Sequence, residues 1–179
     1  MAAGEETRRA SIELAKEDMH FSAAHFTIFS ANRRENLHGH NFFVEARAEG
    51  PINSNGLCFD YTLLKARLRA LCDVLDETLL IAARSPHLEI QEEHDEVVVA
   101  FADETLRFQH RDVKLLPIRN VTVEELAHWF TDTLTRDDCF GSLSVESLTV
   151  RVSSGPGQWA ETTWRSNANV HATGLRDPL

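Results

Sequence analysis

The stretch HGHNFFVEARAEG, residues 38–50, constrains the fold more than any other part of the chain. Phe42, Val44 and Ala46 share one parity, while Phe43, Glu45 and Arg47 share the other. This alternation predicts a β-strand with one apolar face. The strand opens on His38-Gly39-His40. Residues two apart on a strand project from the same face, so both imidazoles can meet one ion. Gly39 puts no side chain on the opposite face.

The rest of the chain arranges itself around that strand. Ile12 to Phe21 reads as extended and leads into FSAAHF, 21–26, whereas TIFSANRRENL, 27–37, reads as a loop of small and charged groups. Pro51 to Gly56 is a turn cluster. Leu64, Leu68, Leu71 and Leu75 then recur at spacings of four, three and four, a helical stripe with Asp60 placed to cap it. After the Ser85-Pro86 break, residues 88–116 read as strands with turns at 94–96 and 102–104. A second helix follows Asn120, with Thr122 and Glu125 in capping-box spacing and Leu126, Phe130 and Leu134 on one face. Residues 142–154 alternate as a strand, the glycines of 155–157 turn the chain, and 158–170 return as the last strand. The order ββ, α, a β-hairpin, α, ββ predicts an antiparallel α+β sheet with both helices on one face. The other face must also be covered. A chain of 179 residues has nothing spare for this, so a homo-oligomer is expected.

The length fits one domain, 11–179, behind a polar and flexible N-terminus, 1–10. Eighteen Lys+Arg against 28 Asp+Glu give a net charge of −10. That balance argues against a sequence-independent grip on nucleic acid or an anionic membrane, but a phosphorylated small molecule needs only a few local cations. Cys58, Cys72 and Cys139 have no metal-ligand spacing and read as reduced packing thiols. MAAGEETRRAS lacks the apolar core of a signal peptide, and no run reaches the roughly 18–20 apolar residues that span a bilayer. The expectation is a cytoplasmic protein.

His25 ends the extended segment thirteen residues before His38. If the two segments pair, His25 joins His38 and His40. Three neutral imidazoles make a zinc site with an open fourth position, as in catalytic centres. The alternative is two surface histidines and one core histidine. His87, His94, His110 and His171 fall in turns or polar stretches, and His128 lies in the second helix. His20 has the wrong parity relative to His25 to join the set.

FSAAHF, ENLHGHNFFV, GLCFDYTLLKARL, LDETLL and TVEELAHWF occur in an order and spacing that resemble the 6-pyruvoyl-tetrahydropterin synthase and 6-carboxytetrahydropterin synthase family, over roughly residues 12–165. The resemblance implies a T-fold: a four-stranded antiparallel sheet with two helices on one face, here with an extra β-hairpin. It implies trimers that close their sheets into a barrel, and a homohexamer of two trimers with active sites between subunits. It implies Zn2+ on His25, His38 and His40, and a pterin substrate, 7,8-dihydroneopterin triphosphate. In that chemistry zinc acidifies the side-chain hydroxyls and a protein base moves protons. The side chain then loses triphosphate with rearrangement, or is cleaved. A buried carboxylate anchors the aminopyrimidine edge.

The chain departs from the family pattern in three places. Many members carry a catalytic Cys just before HGH; here Glu35 stands three residues before His38. This resembles a subgroup that releases 6-hydroxymethyl-dihydropterin for folate synthesis, and it implies Glu35 as general base. The bland alternative is a solvated loop Glu beside Arg33 and Arg34. The family's Asp-His proton relay is replaced by Asp76-Glu77, and the late strand's anchoring Glu by Ser154. Glu124, Glu125 and Glu161 are alternative anchors. Glu124 matches a helix-start Glu of the family, although a helix-dipole role would also place it there. The resemblance thus implies Glu35, Asp76 and Glu77 as catalytic and Glu124 and Ser154 as substrate-binding. Other readings are a 6-carboxytetrahydropterin synthase of queuosine biosynthesis, a zinc-binding T-fold paralogue that binds ligand without turnover, and a cytoplasmic metal-binding protein with no pterin link.

Overall fold

The computed structural model of the protein describes residues 8–166. The predicted central strand is β5 (His38–Pro51). β1 (Arg9–Leu14) and β2 (His20–His25) lie end to end along one edge of it. β1 pairs antiparallel with its second half, from Arg9 opposite Pro51 to Leu14 opposite Ala46. β2 pairs with its first half, from His20 opposite Phe43 to His25 opposite His38. The boundary expected after residue 10 falls inside β1, which starts at Arg9. On the other edge β5 pairs with β11 (Ser147–Ser153), and β11 with β12 (Ala160–Arg165), both antiparallel. The part of the last strand expected over 167–170, like His171, lies outside the described residues.

The antiparallel part of the α+β T-fold is therefore present, but the sheet is larger than the four antiparallel strands expected. β6 (Thr78–Ala82) runs parallel to β2, and β10 (Val113–Leu116) runs parallel to β6. The result is a mixed seven-stranded sheet. β6 explains the discrepancy: Leu79, Leu80, Ile81 and Ala82 are all buried. A strand covered on both faces reads as a continuous apolar run, which carries no alternation and no direction.

Both helices pack on one face of this sheet. In α1 (Tyr61–Leu75) the Asp60 carboxylate accepts the Thr62 N–H at 2.9 Å, as a helix N-cap does. Its buried stripe is Leu64, Leu68, Cys72 and Leu75, so Cys72 takes the place expected for Leu71. In α2 (Val123–Thr135) the Thr122 hydroxyl accepts the Glu125 N–H, and Leu126, Phe130 and Leu134 are buried as predicted. A single turn, α3 (Asp138–Gly141), leads into β11. Phe42, Val44, Ala46 and Ala48 of β5 meet the helices, and Phe21 stacks on Phe42 at 4.9 Å between centroids and tilts against Phe130 at 6.1 Å. Phe21, Phe42, Val44 and Phe130 each stabilise the fold by about 1.5–3 kcal/mol on burial.

Two smaller sheets flank the main one. Inside the segment expected to be a loop, β3 (Ile28–Ser30) and β4 (Arg33–Arg34) form a short hairpin. β7 (Glu89–Glu93), β8 (Glu96–Phe101) and β9 (Glu104–Gln109) form a three-stranded antiparallel meander where an extra hairpin was expected. Its turns fall where predicted, with φ of 49° at His94 and 50° at Ala102. The meander covers the second face of β6: Val97, Val99 and Phe101 join Leu79, Ile81, Phe26 and Ile28 in a second hydrophobic cluster. Among the described residues no helix is long and apolar enough to cross a membrane.

Candidate functional site

The pairing of β2 with β5 brings the three predicted histidines together. His25 is the direct cross-strand partner of His38, and His40 lies two residues further on the same face. Their ring centroids are 4.7 Å (His25–His38), 5.3 Å (His25–His40) and 4.7 Å (His38–His40) apart. One nitrogen from each lies within 4.8 Å of the others.

Backbone carbonyls orient two of the rings. His25 Nδ1 lies 3.0 Å from the Val121 carbonyl, and His38 Nδ1 lies 2.8 Å from the Asn36 carbonyl. A carbonyl accepts only, so each Nδ1 carries the proton and each Nε2 is left with its lone pair. His38 Nε2 comes within 3.0 Å of His40 Nε2, and His25 Nε2 is buried with no hydrogen-bond partner. An orphaned, buried lone pair aimed at two further imidazoles fits a divalent cation, and carbonyl-held Nδ1 protons are the usual support of such ligands. Burial lowers the His25 pKa to about 4, against a partial opposing effect of the Val121 carbonyl. His25 is therefore neutral at pH 7, the form that binds metal.

Glu35 reaches the same place from the hairpin. Its Oε2 is 4.0 Å from His38 Nε2 and accepts the Thr27 N–H at 3.0 Å, while its own N–H donates to the Thr27 carbonyl at 2.8 Å. Partial burial pushes its carboxyl up, but the Thr27 N–H, with His38 and His25 beyond it, outweighs this and holds it below its ordinary value. Glu35 is a part-exposed carboxylate anchored by Thr27 and facing the trio.

These four side chains line a cavity of about 310 Å3 that Thr122, Glu124, Ser154 and Gln158 complete. Glu124 and Ser154, the two expected substrate-binding residues, both line this cavity. Gln158 was not foreseen: it follows Gly157, whose φ of 83° turns the chain back, and nothing in its local pattern marks it. Glu125 and Glu161 are elsewhere. The Glu125 carboxylate accepts the Arg119 N–H at 2.9 Å, and Glu161 faces Arg151 at 4.0 Å.

Asp76 and Glu77 do not join this cavity within one chain. Asp76 Oδ1 accepts the Ser22 N–H, and the Glu77 N–H donates to the Ser22 carbonyl, both at 2.7 Å. Ser22, Ala24 and Asn41 have the opposite parity from His25 and His40, so their side chains line the sheet's other face. There Glu77 borders a more open cleft of about 620 Å3 with Ser22, Ala24, Gly39 and Asn41. That cleft is the larger of the two, yet His40 is the only one of the three histidines that it touches. The convergent chemistry belongs to the smaller cavity.

The chain is similar to known proteins along most of its length. Residues 13–164 match the sequence profile of the family described as 6-pyruvoyl tetrahydropterin synthase. A protein of Pyrococcus horikoshii named "Putative 6-carboxy-5,6,7,8-tetrahydropterin synthase" is 26% identical over 145 residues, or 80% of this chain and 85% of that protein. The crystal structure of 6-pyruvoyl tetrahydropterin synthase from Plasmodium vivax superposes with a TM-score of 0.82 at 31% identity, covering 89% of this chain and 99% of that one. A variant of the P. vivax enzyme, in which a glutamate described as a catalytic residue is replaced by alanine, superposes at 0.83 with 29% identity and the same coverage. The chain belongs to the 6-pyruvoyl tetrahydropterin synthase family.

Proposed function

We propose that the protein is a zinc-dependent lyase acting on the side chain of 7,8-dihydroneopterin triphosphate or a related pterin. The observation that carries this reading is the Glu35 carboxylate 4.0 Å from His38 Nε2, in one cavity with all three histidines. A glutamate is also described as a catalytic residue in the P. vivax relative.

In this reading His25, His38 and His40 hold the metal through Nε2. Zinc bound there supplies Lewis acidity toward the substrate's side-chain hydroxyls. Glu35 accepts the proton that leaves the side chain. Its Oε2 is fixed by the Thr27 N–H, so the carboxylate is aimed before substrate arrives. A carboxylate with a lowered pKa is a weak base, and it works here only on an already acidified proton. Glu124, in the first turn of α2, offers its carboxylate to the N–H edge of the aminopyrimidine, while Ser154 and Gln158 add neutral polar contacts. Glu35 in this position favours side-chain cleavage to a 6-hydroxymethyl product. Asp76 and Glu77 enter the site only in an assembly, taken here as a cytoplasmic homohexamer.

Dihydroneopterin triphosphate given to purified protein, with and without chelator, tests the reading when the pterin products are weighed by mass spectrometry. A hydroxymethyl product that disappears with chelator supports it. A carboxy product moves the protein to the queuosine branch, and a pyruvoyl product to the biopterin branch. One observation favours a second reading: Ser154 in the cavity cannot replace the charge of an anchoring Glu. No turnover, with metal bound, would leave a ligand-binding paralogue.

A further inference from the structure

The meander formed by β7, β8 and β9 contributes no side chain to the metal cavity. It is nonetheless tied to Glu35 through one arginine. Arg34 ends β4, and its side chain is 15% exposed. Its guanidinium has three engaged nitrogens. Nη1 donates to the Glu35 carbonyl at 2.8 Å. Nε donates to Glu104 Oε2 at 2.9 Å, and Nη2 donates to the same oxygen. Glu104 is the first residue of β9. The guanidinium carbon lies over the Phe26 ring, 5.0 Å from its centre, and 6.0 Å from the centre of the Phe101 ring. Both rings are buried in the second hydrophobic cluster, and Phe26 directly follows the metal-site His25.

This arrangement gives Arg34 little freedom. The planar fork is held by a carboxylate on two of its nitrogens and sits over two buried rings, so its third donor is restrained. What it is aimed at is the carbonyl of the residue whose carboxylate faces the histidines. The other hydrogen bonds to Glu35 come from Thr27, whose carbonyl accepts its N–H and whose N–H donates to its carboxylate, which also faces His38 at 4.0 Å.

We infer that Arg34 is a positioning residue for Glu35 and that Glu104 of the meander sets Arg34, so the meander braces the base from outside the cavity. The catalytic consequence rests on the reading of Glu35 as base; the geometric consequence does not. Among the described residues the Glu104 side chain reaches the site through Arg34 and does not line the cavity itself. A misplacement of about 1 Å can cost on the order of 100-fold in rate, so a restraint of this kind is worth having far from the chemistry.

The test uses the full chain, with Glu104→Ala and Arg34→Ala made singly and together. The first measurement needs no turnover: hydrogen exchange at the Glu35 amide, followed by NMR. Each single variant is expected to speed this exchange about 10-fold while amides in α1 and β11 keep their protection. Unchanged protection of Glu35 overturns the inference. The second measurement is steady-state kinetics with dihydroneopterin triphosphate and bound zinc counted. The expectation is a kcat lower by about 10-fold in Glu104→Ala and up to about 100-fold in Arg34→Ala, with KM and metal content unchanged. The double variant should match Arg34→Ala alone, because Glu104 reaches the site through Arg34. Losses that multiply overturn the proposed route. If the alanine variants do not fold, Glu104→Gln and Arg34→Lys carry the same two measurements, since each keeps bulk and loses either the charge or the fork. Turnover that survives Glu35→Gln removes Glu35 as base but leaves the exchange result to decide the brace. Turnover lost in Glu35→Gln, with kcat intact in the Arg34 and Glu104 variants, does the reverse.

Discussion

Asn120 and Ile28 are joined by two hydrogen bonds: the Ile28 N–H donates to Asn120 Oδ1 at 3.0 Å, and Asn120 Nδ2 donates to the Ile28 carbonyl at 2.8 Å. The side-chain amide takes the place of a neighbouring strand on β3. It also sits one residue before Val121, whose carbonyl orients His25. Asn120→Ala removes both bonds and loosens that carbonyl. Loss of such outer support typically lowers metal affinity by about 10–100-fold, and an unsatisfied amide pair costs about 1–3 kcal/mol. Competition against a chromogenic chelator and urea unfolding measure the two effects; an unchanged zinc affinity would sever Asn120 from the site.

Metal removal should lower stability by mass action. At free zinc 100-fold above its dissociation constant, binding adds about 2.7 kcal/mol to the native state. Scanning calorimetry with and without chelator should show a lower midpoint in the stripped protein, and His25→Ala should lose the difference. The mutant tests the trio directly, because the unpartnered Nε2 goes with the ring.

Gly50 tests the close approach of β5 to the chain entering β11. A Cβ built there would overlap the Ser144 carbonyl and come within 3.3 Å of Cys58 Sγ. The nearer obstacle is backbone, which cannot rotate away. Gly50→Ala should destabilise the protein by about 1–3 kcal/mol, read from the urea midpoint at constant slope.

Asp137 offers a pH test remote from the metal. The Cys139 N–H, with the Arg67 guanidinium, holds its carboxyl below the ordinary value of 3.8 despite some opposing desolvation. A depressed native pKa stabilises the fold above the unfolded value and is lost as pH falls through the native one. Asp137→Ala should therefore melt below wild type at pH 7, and the gap should close as pH drops beneath about 3.8. A gap that persists in strong acid would mean that the charge is not what stabilises this turn.

What the sequence disclosed follows from periodicity and capping chemistry. The alternation from Phe42 to Ala46 announced β5, and Asp60 and Thr122 announced both helix starts. The histidines were legible because parity on one strand and pairing with its neighbour are local rules. Other features depend on contacts distant in sequence. The hairpin of β3 and β4 is held by Asn120 and Glu104, some ninety and seventy residues away, which no window of a dozen residues contains. Cys72 and Leu71 differ by one step around the helix, and only packing against the sheet chooses between them. Asp76 and Glu77 were read from the place of the family's Asp-His pair, and a place after the first helix does not say what a neighbouring subunit would bring to it.

β6 has oil on both sides: Leu80 and Ala82 belong with the helices, and Leu79 and Ile81 with the meander. Neither layer can be peeled away while the other stays intact, because each would strip a wall from the same strand. The two halves of the molecule are therefore expected to melt as one, and a protease cut in the meander is expected to loosen the histidine strands next door.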